Sequence, residues 1–168
     1  MNIVIRKACA NEAAIIARIV IQSWQESYCS IFPKEFLDAL SFEDKEKSIR
    51  DKMKSPGWQE YFIISENGHD IGTVKLRYDI AVKTTRAEIA GFYFLSDHVR
   101  KGYGTKILHY LEKHLLLQGY TSAFGWILSS NNVSIAFMEK NGYQYSGEEK
   151  TMDIFQTQKL KKYIKDLT

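Results

Sequence analysis

Cysteine is scarce in this chain: Cys9 and Cys29 are the only two, and they form no C-x-x-C pair. A disulfide framework and a structural zinc site are therefore not expected. Two reduced thiols suit a cytosolic protein. A dominant charge is also lacking, since 23 Lys and Arg face 20 Asp and Glu for a net +3. That balance gives no reason to expect nucleic-acid binding, which usually shows a stronger basic bias. Long apolar runs are missing too. Arg6 and Lys7 are followed by Glu12 and no uninterrupted apolar segment, so no signal peptide is expected. Arg18 breaks the longest early apolar stretch, and nothing approaches a membrane span. The expectation is a soluble cytoplasmic protein with no membrane partner. Repeats, low-complexity stretches and linkers are absent. What is present is 168 residues with 45% apolar content, enough for one folded domain over 1–168 with a full core.

Hydrophobic periodicity orders the chain. "IVIRKA" (3–8) reads as a strand, and Asn11 is a candidate cap for a helix through Tyr28. Pro33 suits the start of a short helix, and Ser41 can cap another over 42–54, which Pro56-Gly57 ends. "EYFIISE" (60–66) and "DIGTVKLRYDI" (70–80) flank Asn67-Gly68, a hairpin signal. "AEIAGFYFL" (87–95) is a third strand. A helix over about 102–118 follows, with Ile107, Leu108, Leu111 and Leu115 at helical spacing and Gly119 just beyond. Then come a strand at 121–128, a helix capped by Asn131 and closed by Gly142, and closing strands at 143–148 and 155–164. The order predicts an α/β layer architecture.

The segment "HVRKGYGTKIL" (98–108) places two glycines and two basic residues directly before a helix. The first N–H groups of a helix have no intrahelical acceptor, and the dipole leaves partial positive charge there. Gly102 and Gly104 permit close backbone approach, so the loop is a candidate anion cradle. A lone G-x-G is weak evidence, and the Rossmann and Walker spacings are both missing.

The neighbourhood carries more. "VRKGYG" (99–104), between a strand and a helix, resembles the [Q/R]-x-x-G-x-[G/A] segment of the GNAT superfamily of acyl-CoA-dependent N-acyltransferases. "NNVSIAFMEKNGY" (131–143) is similar to that family's second segment, N-x-x-A-x-x-x-Y-x-x-x-G-F. The resemblance implies a mixed, mostly antiparallel central sheet flanked by helices, with a splay between the fourth and fifth strands. It implies that acetyl-CoA is the co-substrate and that no metal takes part. Its pyrophosphate would lie on the backbone of Val99, Arg100, Lys101, Gly102, Tyr103, Gly104 and Thr105. The pantetheine arm would run along Phe92, Tyr93 and Phe94 and reach Asn131.

Three positions depart from the family pattern. Val99 replaces Gln or Arg, Ser134 replaces a small alanine, and Met138 stands where a tyrosine often protonates the leaving thiolate. A positioned acid contributes roughly 10²–10⁴-fold, but a thiol of pKa about 8.5 is a tolerable leaving group without one. Met138 also reads as a core residue, on one helical face with Ile135 and Gly142.

Acyl transfer to nitrogen needs a free amine. An alkylamine of pKa about 10.4 is short of this at pH 7 by roughly 4.6 kcal/mol, so a base or desolvation is required. Glu88 matches the strand glutamate that serves as general base, through water, in the histone-acetylating branch. Its alternative is an exposed carboxylate paired with Arg86. Trp24, Glu26 and Tyr28 occupy the region where the family builds its acceptor pocket; amphipathic helix packing is the other reading of all three and the favoured one for Trp24. His109 and His114 fall on different helical faces and do not suggest zinc. His98 reads as a solvated loop residue, with phosphate contact as its alternative, and "KLKKYIK" (159–165) as a solvated strand face. The resulting expectation is an N-acetyltransferase acting on a small-molecule, peptide or protein amine, with homodimerisation left open. The alternatives are a non-catalytic acyl-CoA sensor and a nucleotide-phosphate binder.

Overall fold

The computed structural model describes residues 3–55, 58–78 and 85–168. The elements are β1 (Ile3–Lys7), α1 (Ala13–Ser27), α2 (Lys34–Asp38), α3 (Phe42–Lys54), β2 (Gln59–Glu66), β3 (His69–Tyr78), β4 (Arg86–Phe94), α4 (Tyr103–Leu117), β5 (Ser122–Leu128), α5 (Asn132–Lys140), β6 (Gln144–Ile154) and β7 (Gln156–Asp166). Short 3₁₀ turns at Ala10–Glu12 and Ser96–His98 precede α1 and the glycine loop.

The strands form one seven-stranded sheet in the order β1-β2-β3-β4-β5-β7-β6. Every pairing is antiparallel except β4 with β5. This is the mixed, mostly antiparallel architecture expected from the sequence. Strand alternation sorts the core into two layers. Phe62, Ile64, Val74 and Leu76 pack on one face with Leu108, Leu111 and Leu115 of α4. Tyr61 and Ile63 point the other way, onto Ala13, Ile16 and Ala17 of α1 and Ile49 of α3. A strand covered on both faces loses the apolar–polar alternation of a one-sided sheet, which explains the near-continuous burial of β2.

Local caps follow the sequence in two places and depart from it in one. The Ser41 hydroxyl accepts from Asp44 N–H at 3.1 Å, and the Asn131 side chain accepts from Ser134 N–H at 3.1 Å. Asn11 does not cap α1. The chain enters through the 3₁₀ turn, where Glu12 accepts from the Cys9 backbone N–H at 3.1 Å, and Asn11 instead accepts from the Cys9 thiol at 2.7 Å. The closing strands are longer than expected and form a hairpin that turns at Phe155 (φ 61°). Pro56-Gly57 and positions 79–80 of the strand expected over 70–80 lie outside the described residues. Among the described residues no helix is long and apolar enough to cross a membrane.

Candidate active site

β4 and β5 pair only at Arg86↔Ser122, Ala87↔Ala123 and Glu88↔Phe124 among the described residues. Beyond Glu88 the two strands diverge, and the edge of β4 faces a cavity of about 660 Å³. A bulge in β4 sharpens the opening. Lys75 pairs with Ala90 but Thr73 with Tyr93, so β4 carries one extra residue, and Gly91 there has φ 58°. Gly125 on the opposite wall is needed for closeness: a Cβ would lie 3.2 Å from Ile89 O and 3.4 Å from Met138 Cε.

Glu88 sits at the vertex. Ala87 and Ile89 belong to the α4-side core, so the intervening Glu88 points to the opposite face, into the cavity. It is only 9% exposed. Its ion-pair partner is Arg77, its neighbour across the β3–β4 ladder, whose Nη1 donates at 2.9 Å. The pairing with Arg86 considered as the alternative gives way to this one, because register places Arg77 directly opposite. Arg77 Nε is buried and has no hydrogen-bond partner among the described residues.

The glycine loop is held from below by one carboxylate. Glu66, at the end of β2, accepts from the Tyr103 hydroxyl and lies 2.6 Å from His98 Nδ1, with Lys101 Nζ at 3.9 Å. The Tyr103 bond, ahead of His98 and Lys101, holds the Glu66 carboxyl below its usual range and raises the Tyr103 phenol. His98 is thus an anchor rather than a solvated residue. Above this anchor the backbone takes left-handed conformations at Arg100 (φ 60°) and Gly102 (φ 78°). A non-glycine residue in that region is uncommon, and such strain collects at ligand-binding loops. Left-handed residues just before a helix aim successive N–H groups into a concavity suited to an anion. The two glycines serve different ends. A Cβ at Gly102 would meet nothing within 4 Å, so only its φ demands glycine, whereas a Cβ at Gly104 would come 3.0 Å from Phe137 Cε2. Phe137 also lines the cavity, so it joins the loop to the cleft.

The sequence profile of the acetyltransferase (GNAT) family matches residues 21–143, most of the chain. The chain is a GNAT acetyltransferase. A Bacillus subtilis (strain 168) protein named as the uncharacterized N-acetyltransferase YuaI is 26% identical over 163 residues, covering 92% of this chain and 85% of that protein. The spermidine N(1)-acetyltransferase of Thermoplasma acidophilum is 22% identical over 148 residues, covering 86% and 89%. Among solved structures, the PaiA N-acetyltransferase from Thermoplasma acidophilum in complex with coenzyme A superposes with TM-score 0.77 at 19% identity, over 99% of each chain. That last likeness is one of fold.

The family's two motif segments fall on the loop before α4 and on α5, either side of the divergence between β4 and β5. Of the residues singled out in the sequence, Glu88, Phe92, Tyr93, Asn131, Trp24 and Tyr28 line the cavity. Three groups do not. Residues 99–105 form the separate loop at the start of α4, with Val99 45% exposed. The Phe94 ring turns onto β3, where a Cβ at Gly72 would lie 2.8 Å from its Cδ1. Glu26 faces away from the cavity and accepts from Ser96 N–H at 2.8 Å, tying α1 to the turn before the loop. Trp24 is both packing and wall: it stacks on Phe32 at 5.7 Å between ring centres and lies 6.4 Å from Tyr93. Met138 is buried and lines the cleft. Burial raises the Tyr28 phenol far above its usual range, only partly offset by a hydrogen bond to Asn131.

Sequence reasoning missed the cavity's cations: Lys45 and Lys52 on α3, Lys75 and Arg77 on β3, and Lys150 on β6. The K-x-R spacing in "VKLRY" was the available signal, since alternate strand residues share a face.

Proposed function

We propose that this acetyltransferase moves the acetyl group of its co-substrate acetyl-CoA directly to a primary amine held beside Glu88, with both substrates bound together. The observation that carries the reading is the divergence of β4 from β5 at a buried carboxylate. The residues present suit the co-substrate. The left-handed turn at 100–102 and the start of α4 offer N–H groups to a pyrophosphate. The open edge of β4 offers backbone partners to an extended amide-bearing arm, as an added strand would use them. Apolar walls from Phe92, Phe137 and Met138 enclose the reacting end.

The thioester supplies an activated acyl group. Glu88, oriented by Arg77, takes the ammonium proton through a water so that the nitrogen lone pair is free to attack. A backbone N–H from the 92–94 edge steadies the developing oxyanion. The coenzyme A thiolate, a tolerable leaving group at a thiol pKa of about 8.5, departs without an acid at position 138 and takes up through solvent the second proton that the nitrogen sheds. Glu88→Gln is expected to lower kcat by about 10²–10⁴-fold while acetyl-CoA affinity stays within about twofold. An unchanged rate across the pH range would remove Glu88 as the base.

A further inference from the structure

The acceptor side of the cavity is unusually cationic. Among the described residues, Lys45, Lys52, Lys75, Arg77 and Lys150 line it, against Glu88 and Asp153. Neither carboxylate is spare. Glu88 is held by Arg77, and Asp153 accepts from the Thr157 hydroxyl at 2.8 Å in the hairpin turn. Lys45, Lys52, Lys75 and Lys150 make no ion pair among the described residues. Instead Lys45 Nζ lies 5.8 Å from the Trp24 ring, Lys75 Nζ 5.7 Å from Tyr61 and Lys150 Nζ 4.3 Å from Trp126. Aromatic faces hold an ammonium without neutralising it.

These cations do not serve the phosphate loop. Val74, Leu76 and Tyr78 of β3 point to the α4 face, so Lys75 and Arg77 point to the α1–α3 face. Lys45, Ile49 and Lys52 recur at helical spacing, and Ile49 packs on that face. The loop at 99–105 opens α4 on the other side of the sheet. Clustering five cations around two engaged carboxylates works against folding. Burial first, then repulsion from Arg77 and Lys52, pulls the Lys75 ammonium down to about 8. Such a cluster, gathered in one cleft, is a candidate binding site.

Resting on the transfer reading above, we infer that the acceptor is a small amine that also carries a carboxylate or phosphate, and not a polyamine. Its amine faces Glu88, and its anion lies among Lys75, Lys45 and Lys52. Lys75 is the next side chain on the same face of β3 after Arg77, about 7 Å along the strand. That spacing suits an amine and an anion separated by a few bonds, as in an amino acid or an aminoalkyl phosphate. A polyamine would bring two or more further cations to a wall whose described carboxylates, Glu88 and Asp153, are already engaged.

The test is amine-dependent release of free thiol from acetyl-CoA with matched acceptors. The pairs are amino acids against their own amides, β-alanine against β-alaninamide, and O-phosphoethanolamine against ethanolamine. Spermidine and an acidic tripeptide complete the panel. Each amide is the weaker base and so the richer in free amine, which sets intrinsic reactivity against the prediction. The acid or phosphate member is expected to exceed its neutral partner in kcat/KM by at least about tenfold, or roughly 1.4 kcal/mol. Lys75→Met, and separately Lys45→Met, should shrink that ratio several-fold in protein whose melting shows it folded. Neutral partners or spermidine used as well as the anionic amines would overturn the inference and leave the transfer reading intact. The tripeptide preferred over every small acid would overturn the small-molecule class. No thiol release with any amine, from protein that binds acetyl-CoA, would sink the transfer reading and this inference with it.

Discussion

Gly102→Ala isolates what the loop conformation is for. Gly102 has φ 78°, and an added Cβ would meet nothing within 4 Å. No clash arises, so the cost is that of placing an L-residue in the left-handed region, about 1–2 kcal/mol. The chain can meet this cost in two ways. If the loop keeps its shape, the loss appears in melting, as a fall of roughly 2–8 °C for a domain of this size. If residue 102 leaves the left-handed region, the N–H groups before α4 re-aim. The loss then appears in acetyl-CoA affinity, as a weakening of up to about 5–30-fold. Melting and calorimetric titration on the same samples apportion the two. Gly119→Ala is the control: φ is 88°, no atom lies within 4 Å of the added carbon, and the position is at the far end of α4. It should melt lower by a similar amount and bind acetyl-CoA as the parent does. Gly102→Ala matching the parent in both measurements would refute the argument, and so would Gly119→Ala weakening binding as much.

Two further outcomes follow from the site. Met138→Tyr puts a hydroxyl where Met138 now lines the cleft beside Gly125, and turnover should hold or rise. A large loss of rate in folded protein would show that Met138 shapes the substrate site. Glu66→Gln keeps the side-chain shape but removes the charge that anchors Tyr103 and His98, so acetyl-CoA should bind more weakly. The Glu66 carboxyl is held below its usual range in the fold, chiefly by Tyr103. Its stabilisation is therefore present above the ordinary carboxylate pKa and lost as pH falls through the folded value. Affinity in the parent should decline along that acid limb, and Glu66→Gln should lack the decline. A parallel decline in both proteins would place its cause elsewhere.

What could be read in the sequence was whatever neighbouring residues decide among themselves. The hairpin at Asn67-Gly68, the caps at Ser41 and Asn131 and the glycine loop are all local, and each stands where expected. The site's electrostatics are not local. Arg86 is two residues from Glu88, yet Arg77 pairs with it because strand register sets partners at a distance. Glu26 lies between Trp24 and Tyr28 in sequence, but the helical turn sends it to Ser96 instead of the cavity. The cationic wall gathers residues from α3, β3 and β6, whose shared location no single segment records. Asn11 shows the smaller version of this failure, since three competing side chains within one turn settled the cap in favour of Glu12.

Calorimetric titration of the folded protein with acetyl-CoA, with ATP as the control ligand, tests the central claim most directly. The account predicts one saturable acetyl-CoA site per chain and no comparable heat from ATP, because the proposed site takes an extended arm along β4 as well as phosphates at the loop. Equal binding of ATP, or no binding of acetyl-CoA, would contradict it.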